Sequence, residues 1–422
     1  MVILFFHPNL YPPPPAMHSR HVLLVEDNSS VLRTLQRMLE EDGYTAVCAA
    51  SKQEMQRILA SEDGESLLAC VLDYCLPDAP EGEALVELLK RRIPTIVLTA
   101  RNDLATREQV LLQPVVDYIP KENPAAYEYT LRMLRRIEHN PGTRVLVVDD
   151  SSAIRGYLSQ LLQRQLYEVI EAANGEAALA QLGSDPGIRL VLTDHDMPGM
   201  NGVRLCSEIR RFRSQEELAI IGISSSQDSS MSARFIKAGA DDFLTKPFNH
   251  EEFFCRVTRN IEYVENLQAL SRAAHEDLLT GLPNRRSFFE RVQKQPFPHA
   301  LAMLDIDNFK QINDNYGHDI GDQALRWLGS LLAETFGREQ VARLGGEEFV
   351  ILLPLDTSPQ PLLEAFRQQV GSAVQATSRG ELQLTISIGA ATGQMEVSQL
   401  LKQADEQLYQ AKLAGRNRVS VS

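Results

Sequence analysis

Short runs of consecutive apolar residues recur through the first two thirds of the chain, and each ends in polar residues. Residues 22–25 lead into Glu26 and Asp27, and the similar run 145–148 leads into Asp149 and Asp150. Amphipathic stretches with helical spacing, such as residues 31–39 and 154–162, lie between these runs. Apolar runs that alternate with helices are typical of strands buried on both faces of a parallel sheet. The pattern therefore predicts an α/β fold.

The same series of runs occurs twice, which indicates two similar domains in tandem. Each copy places an acidic residue, a hydroxyl residue and a lysine at the ends of its later runs. The matching positions are Asp73 and Asp194, Thr99 and Ser224, and Lys121 and Lys246. Sites in parallel α/β sheets lie at the carboxyl ends of the strands, so these side chains are expected to meet at one edge. Crowded carboxylates repel one another, and Mg²⁺ is the natural ion to hold them together.

The last third of the chain has a different pattern, in which acidic residues follow a strand and a glycine turn. An apolar run ends at Asp305, and Gly345 and Gly346 lead into Glu347 and Glu348. Glycines let the backbone approach a ligand closely. Mg²⁺ usually binds one or two protein carboxylates together with substrate phosphates. An isolated acidic glycine turn is most often a solvated hairpin tip, but the second acidic strand end favours a metal–triphosphate site.

A helical segment connects the repeats to this last part. Residues 249–276 lack proline and glycine, and their apolar positions follow helical spacing: Val257, Ile261, Val264, Leu267, Leu270 and Ala274. The first half of this segment either packs on the preceding domain or begins a stalk. The second half has no domain to cover it, which favours a two-helix contact in a homodimer.

Composition narrows the classes of function. With 422 residues the chain is long enough for two to four domains, and its net charge of −14 disfavours nucleic-acid binding. Five scattered cysteines without metal-type spacing indicate reduced thiols in a cytoplasmic protein. No apolar run approaches the roughly 18 residues that a membrane helix needs, so no membrane insertion is expected.

The domain boundaries follow from these patterns. Prolines 12–15 disfavour a helix, and residues 1–19 are expected to form a disordered tail. Whether translation begins at Met1 or Met17 stays open. The predicted domains cover residues 20–140 and 143–262, the helical linker covers 250–276, and the last domain covers 277–422.

Each repeat resembles the receiver domain of response regulators, a flavodoxin-like (βα)5 fold. The resemblance implies that Asp73 and Asp194 accept phosphoryl groups from a sensor histidine kinase or phosphotransfer protein. The other implied roles are Mg²⁺ binding by Glu26, Asp27, Asp149 and Asp150, phosphoryl contacts by Thr99, Ser224, Lys121 and Lys246, and aromatic switching by Tyr118 and Phe243. Both receivers are expected to be competent, with Asp194 ranked slightly above Asp73. The first copy departs more, since its loop from Asp73 to Gly82 is one residue longer than its counterpart. The alternative is that the receivers act only as spacers or as dimer platforms.

The last domain resembles the GGDEF-type diguanylate cyclase domain. The matching segments begin at Asp277, Asp305 and Tyr316, include the glycine turn, and end near Asn417. The resemblance implies an α+β fold similar to the palm of nucleotidyl cyclases. It also implies that two GTP molecules are joined into cyclic di-GMP with release of two pyrophosphates.

The same resemblance assigns roles within the site. Asp305, the Ile306 carbonyl and Glu347 would hold Mg²⁺, with Glu347 also the base and Glu348 a contributor to a second metal. The implied substrate contacts are Lys310 with the terminal phosphates, Asn313 and Asp322 with guanine, His318 near the substrate, the close approach at Gly345 and Gly346, and a phosphate clamp by Lys412 and Arg416, one helical turn apart. A surface role for Lys310, turn-forming roles for Asn313 and Asp322, and a structural role for His318 stay open as alternatives.

One position departs from the family pattern. Many such cyclases carry an Arg-x-x-Asp product-inhibition site before the glycine turn, and Phe336 and Glu339 stand at the corresponding positions. Phenylalanine cannot pair with a phosphate or a guanine edge as arginine does, which predicts weak or absent inhibition through this site.

Taken together, the sequence predicts a phosphorylation-regulated diguanylate cyclase that acts as a homodimer. One alternative is a catalytically silent regulator that senses GTP or cyclic di-GMP and acts by protein contacts. The presence of Asp305, Gly345, Gly346, Glu347 and Glu348 favours catalysis. A transcription factor is disfavoured, because no basic recognition helix follows the receivers. The sign of the phosphorylation effect stays open.

Overall fold

The computed structural model describes residues 20–61, 64, 66–101, 103–225, 230–293, 299–353, 358–378, 380–393 and 395–422. The tail predicted over residues 1–19, including Met17, lies outside the described residues. The chain divides into two compact units, Met1–Asn266 and Leu267–Ser422.

The first unit contains two five-stranded parallel sheets. Their strand orders are β2-β1-β3-β4-β5 and β10-β9-β8-β6-β7, which is one topology repeated. The elements of the first repeat are β1 (His21–Val25), α1 (Ser29–Glu41), β2 (Thr45–Ala49), α2 (Lys52–Leu59), β3 (Leu67–Leu72), α3 (Glu83–Lys90), β4 (Thr95–Thr99), α4 (Leu104–Leu111), β5 (Asp117–Pro120) and α5 (Ala125–His139). The elements of the second are β6 (Arg144–Val148), α6 (Ser152–Arg164), β7 (Glu168–Ala172), α7 (Gly175–Ser184), β8 (Ile188–Asp194), α8 (Gly202–Ile209), β9 (Ala219–Ser224), α9 (Met231–Lys237), β10 (Asp242–Thr245) and α10 (His250–His275).

The strands form where the apolar runs predict them. Residues 22–25 of β1 and 145–148 of β6 are fully buried, because helices cover both faces of each sheet. β2 and β7, each at one edge of its sheet, are only partly buried and were not recognised in the repeated pattern. Their polar positions face solvent at the sheet edge, which weakens the apolar signal.

The first half of α10 packs on the second repeat. Its side chains in that core are Phe253, Phe254, Val257, Ile261 and Val264. The same half also contacts α5 of the first repeat, where Arg132 bonds Glu262 and Arg136 Nη1 lies 2.5 Å from a Glu265 oxygen. The first half of the helix is therefore shared by both repeats, whereas Leu270 in its second half is 67% exposed.

The second unit is an α+β domain with a mixed sheet. Its main sheet has the order β12-β13-β11-β16-β17, and a separate pair is formed by β14 and β15. Its elements are α11 (Arg285–Val292), β11 (His299–Ile306), α12 (Phe309–Tyr316), α13 (His318–Phe336), a 3₁₀ turn (Arg338–Gln340), β12 (Val341–Gly345), β13 (Glu348–Leu353), α14 (Pro359–Ser372), β14 (Gln375–Thr377), β15 (Gly380–Leu382), β16 (Ile386–Gly393), α15 (Val397–Leu413) and β17 (Val419–Val421).

The predicted fold class is confirmed. Two doubly wound parallel sheets, which the apolar runs predict, are followed by a mixed α/β domain, which the family resemblance implies. None of the described helices is both long enough and apolar enough to cross a membrane.

Candidate functional site

The central strand of the last domain, β11, carries the first acidic group of the predicted metal–triphosphate site. It pairs antiparallel with β13 on one side and with β16 on the other. Asp305 stands directly opposite Glu348 in the β11–β13 ladder. Side chains of directly opposite residues lie on the same face of a sheet, close enough to interact. The antiparallel pairing therefore brings together two acidic groups that are 43 positions apart in the sequence, at 305 and 348.

Asp305 is buried and its charge is only partly balanced. Its carboxylate lies 2.8 Å from Lys412 Nζ on α15. Burial raises the pKa of Asp305 to about 6, Lys412 opposes this shift, and the negative charges of Glu347 and Glu348 add to it. A cluster of carboxylates with one lysine holds excess negative charge, and the oxygens are hard ligands. The donor set therefore fits a magnesium ion.

A groove of about 260 Å³ lies beside these groups. It is lined by Glu348, Asp405, Glu406, Leu408, Tyr409, Gln410 and Lys412. Glu348 and Lys412 thus border open space that a charged ligand can reach.

Asp307, two residues after Asp305, has a different environment. It is buried and accepts hydrogen bonds from Thr385 Oγ1 (2.8 Å), Ser387 Oγ (2.6 Å) and the Asn417 backbone N–H (3.0 Å). These three donors satisfy the carboxylate and tie the end of β11 to β16 and to the segment after α15. The sequence placed Asp307 in a motif without giving it this anchoring role.

The predicted guanine-binding residues lie on two packed helices, α12 and α13. Asn313 lies on α12, and its side-chain oxygen is 2.0 Å from where a Cβ on Gly321 would stand. Only glycine at 321 leaves room for this close approach. Asp322 follows Gly321 directly on α13, so both predicted guanine contacts lie on this pair of packed helices.

Lys310 and His318 are both exposed at the N-terminal ends of these helices. Lys310 lies in the first turn of α12, which follows Asn308 with a left-handed φ of 56°. His318 is the first residue of α13. The structure therefore leaves both side chains accessible to solvent, and their contacts with a substrate stay predictions.

The expected helical spacing of Lys412 and Arg416 is wrong. α15 ends at Leu413, and Gly415 (φ 111°) and Arg416 (φ 62°) turn the chain away. The Arg416 N–H donates to the Ala411 carbonyl, which closes the helix end. Lys412 therefore points from the helix toward Asp305, whereas Arg416 belongs to an exposed turn, because the glycine ends the helix before the next turn can form.

The first repeat gathers its acidic residues as predicted at the carboxyl edge of its sheet. Glu26, Asp27 and Asp73 each offer a carboxylate oxygen within 4.8 Å of the others, the only such set found among the residues that the structure describes. Lys121 Nζ lies 2.5 Å from both Glu26 and Asp73. Burial raises the pKa of Glu26, although Lys121 opposes the shift. This donor set fits Mg²⁺.

The predicted switch residues of the first repeat lie next to this set. Thr99 is buried, and its hydroxyl oxygen accepts from the Arg101 N–H at 3.2 Å. The Tyr118 hydroxyl donates to the Arg101 carbonyl. The hydroxyl side chain and the aromatic residue therefore contact the same loop.

The second repeat pairs its lysine in the same way, but among the described residues Asp149, Asp150 and Asp194 do not bring their carboxylate oxygens within 4.8 Å of one another. Lys246 Nζ lies 2.6 Å from Asp194 and 3.1 Å from Asp149. Ser224 is buried, and Asp150 is exposed. Phe243 packs against Phe235 with 5.4 Å between ring centroids, so it makes an apolar contact where Tyr118 makes a hydrogen bond.

The loop from Asp73 to Gly82 is one residue longer than its counterpart, and the surroundings of Gly82 differ from those of Gly202 as a result. A Cβ on Gly202 would lie 2.2 Å from the Asp194 carbonyl oxygen. A Cβ on Gly82 would instead lie 2.3 Å from the Tyr74 ring. The extra residue therefore separates Gly82 from Asp73, and Tyr74 fills the space.

Comparison with known proteins agrees with this architecture. The model of the response regulator receiver domain matches residues 22–127 and 145–258. The model of the diguanylate cyclase GGDEF domain matches residues 274–418. These repeats and this output domain define a response regulator with a GGDEF domain.

Individual relatives match the chain over nearly its whole length or over part of it. The chain is 28% identical over 456 residues to the response regulator PleD of Caulobacter vibrioides, covering 95% of this chain and 99% of that protein. It is 40% identical over 165 residues to the diguanylate cyclase DgcM of Escherichia coli K12, covering 36% and 39%. A solved structure assigned to a two-component response regulator/GGDEF domain protein is 37% identical, with a TM-score of 0.54, covering 58% of this chain and 99% of that one. The chain belongs to the response regulators that join receiver domains to a GGDEF-type diguanylate cyclase domain.

Proposed function

We propose that the protein is a phosphorylation-regulated diguanylate cyclase that condenses two GTP molecules into cyclic di-GMP. The proposal rests mainly on the surroundings of Asp305. This buried carboxylate lies opposite Glu348 in the sheet, the charges of Glu347 and Glu348 raise its pKa, and Lys412 pairs with it. In each half of the reaction, a 3′-hydroxyl oxygen bonds to the α-phosphorus of the other GTP. The bond from that phosphorus to pyrophosphate breaks, and the hydroxyl proton passes to a base.

Asp305, the Ile306 carbonyl and Glu347 would hold Mg²⁺, and Glu348 would contribute to a second ion. When bound, Mg²⁺ neutralises triphosphate charge and favours attack at the α-phosphorus. Glu347 accepts the proton of the attacking hydroxyl. Lys412 pairs with Asp305 in the structure, and a phosphate oxygen of bound GTP would offer it a second anionic partner.

The remaining substrate contacts set orientation. Asn313 and Asp322 offer an amide and a carboxylate to the guanine edge, which carries both acceptors and N–H donors. Lys310 and Arg416 are exposed cations that reach phosphate oxygens, with His318 near the substrate, and Gly345 and Gly346 leave the backbone open to the ligand.

Each domain holds one GTP, so the reaction requires two domains that face each other in a homodimer. Phosphorylation of Asp73 or Asp194 by a histidine kinase or phosphotransfer protein, with Mg²⁺ at each receiver, favours that dimer through α10. The first half of α10 contacts both receivers, which supports this route. The five cysteines are free thiols, in keeping with a reducing cytoplasm where GTP is available.

Incubation of the purified full-length chain with GTP and Mg²⁺ tests the proposal. Appearance of cyclic di-GMP and pyrophosphate in a 1:2 ratio is the expected result, since two GTP molecules yield one product and two leaving groups. A chain that binds Mg²⁺ and GTP yet forms no product would favour the silent sensor instead.

Acidification is expected to weaken metal binding through Asp305. Burial raises the pKa of Asp305 from its ordinary value of 3.8 to about 6. Because the folded-state pKa lies above the unfolded value, the contribution of Asp305 to the free energy of unfolding is lost as the pH rises through 6. Below pH 6 the carboxyl group is protonated and can no longer serve as a charged metal ligand. Titration of Mn²⁺ with a non-reacting GTP analogue should show affinity falling about tenfold per pH unit below 6. An affinity unchanged down to pH 4.5 would contradict this.

Product inhibition at the site of Phe336 and Glu339 is expected to be weak. Phe336 packs against Phe366 with 5.1 Å between centroids, and Glu339 is 2.6 Å from Arg291. Micromolar cyclic di-GMP should therefore leave the initial rate nearly unchanged. Inhibition that persists in Phe336→Ala would locate another site, whereas inhibition that Phe336→Ala abolishes would contradict the prediction.

A further inference from the structure

The end of α10 is attached to the catalytic domain by a turn of the backbone. The Asn284 side-chain amide donates to the Ala274 carbonyl at 2.9 Å, and the Asn284 N–H donates to the His275 carbonyl at 2.9 Å. The Asp277 N–H donates to the Leu282 carbonyl. Asp277 therefore occupies a fixed position two residues beyond the helix.

Arg343 connects this turn with the glycine turn before Glu347. Its Nη1 lies 2.8 Å from Asp277 Oδ1, while its Nε and Nη2 donate to the Gly346 carbonyl at 2.9 and 2.6 Å. The Arg343 side chain is only 10% exposed. A planar guanidinium with both ends bonded holds its partners in one geometry, which a lysine cannot do.

Packing does not hold the glycine turn itself. Gly345 and Gly346 have φ values of 145° and 54°, and no described atom lies within 4 Å of a Cβ built on either. The β12–β13 register is also irregular between Arg343 and Gly345. The two bonds from Arg343 to the Gly346 carbonyl therefore add a side-chain constraint to the pairing of Gly345 with Glu348.

The Gly346 carbonyl belongs to the peptide plane that begins Glu347. Because the peptide is planar, fixing its oxygen also fixes the direction of the Glu347 N–H and the place of the Glu347 Cα, from which its side chain begins. Asp277 in turn limits where the Arg343 guanidinium can lie. Burial raises the pKa of Asp277, but hydrogen bonds from Arg343 and Thr280 outweigh it and leave the pKa below its usual value.

We infer that Arg343, held by Asp277, is a positioning residue that orients Glu347 and links its orientation to the end of α10. The inference rests on the proposed function of Glu347. It assigns to Arg343 a role through the protein, since its three side-chain hydrogen bonds go to Asp277 and Gly346. A displacement at Asp277 would move the Gly346 peptide, and with it the carboxylate that follows.

The test compares Arg343→Met and Asp277→Asn with Arg338→Met in the full-length protein. Arg338→Met is the matched control, because Arg338 pairs with Glu276 at the same junction but does not bond the glycine turn. The measurements are kcat and KM for GTP, Mn²⁺ affinity with a non-reacting GTP analogue, and the thermal unfolding temperature.

We expect Arg343→Met to lower kcat by about 10- to 100-fold and Mn²⁺ affinity by about 10-fold, with KM for GTP changed little. Asp277→Asn should cause smaller losses, and the double variant should lose no more than Arg343→Met, because both changes remove one linkage. Arg338→Met should leave kcat and Mn²⁺ affinity unchanged.

Normal kcat and Mn²⁺ affinity in folded Arg343→Met would overturn the inference, as would equal losses in Arg338→Met. If Arg343→Met fails to fold, Asp277→Asn decides by the same two measurements. Should the unaltered protein make no cyclic di-GMP, the proposed function fails, while the Mn²⁺ titrations still show whether Arg343 orients Glu347.

Discussion

Glu347→Gln is expected to lower cyclic di-GMP synthesis by about 10²- to 10⁴-fold, the range of a lost general base. Glutamine keeps the size of the side chain but cannot accept the hydroxyl proton, and it replaces a charged metal ligand with a neutral one. Removing the negative charge of Glu347 should also lower the pKa of Asp305, because that charge helps to raise it. The measurement is the initial rate of product formation at saturating GTP and Mg²⁺.

A control variant and an unfolding measurement show whether a loss of rate in Glu347→Gln comes from the lost base. Glu334→Gln makes the same chemical change at an exposed position of α13 and should leave the rate unaltered. The unfolding temperature of Glu347→Gln should match that of the unaltered protein, because Glu347 lies in a turn outside the core. A variant that keeps more than a tenth of the rate would exclude Glu347 as the base.

Replacing Asp73 and Asp194, the predicted phosphoryl acceptors, with asparagine is expected to abolish the response to phosphorylation. In the unaltered protein, the phosphoryl mimic beryllium fluoride should raise the dimer fraction and the turnover by about 5- to 50-fold, within the usual range of coupling between sites. The acceptors lie 2.5 and 2.6 Å from Lys121 and Lys246, so a phosphoryl group at either one changes the bonding of that lysine. Sedimentation and initial rates measure the two effects.

The single variants separate the receivers. Asp194→Asn should remove the larger share of the response, because α10 forms part of the core of the second receiver. Asp73→Asn should remove less, because the first receiver contacts α10 through partly exposed ion pairs. Glu216→Gln, an exposed charge change in the second receiver, serves as the control. If beryllium fluoride altered neither dimerisation nor turnover, phosphorylation would not regulate this enzyme through α10.

The two repeats show which structural features the pattern of apolar residues can predict and which it cannot. Buried strands such as β1 and β6 are recognisable because residues 22–25 and 145–148 are all apolar, whereas β2 and β7 are missed because most of their residues are only partly buried. The acidic edge of each repeat is predictable, since parallel strands end together. The Tyr74 packing against Gly82 was not predictable, because it depends on the path of a loop.

In the GGDEF domain, too, some features could be predicted from the sequence and others could not. Motif resemblance identified Asp305, Glu347 and Lys412, but the residues that hold them carry no signal that spacing alone can interpret. Asp307 is anchored by donors near positions 385 and 417, and Arg343 binds a residue at position 277. The helical spacing expected for Arg416 failed because Gly415 ends α15.

By itself, the sequence determined the two α/β repeats, the mixed output domain and the chemical types of the site residues, because these follow from local periodicity and short motifs. Tertiary structure decided which carboxylates face each other, which lysine pairs with Asp305 and which arginine holds the glycine turn. Those contacts join positions far apart in the chain, and only the registry of strands and the packing of helices bring them within bonding distance.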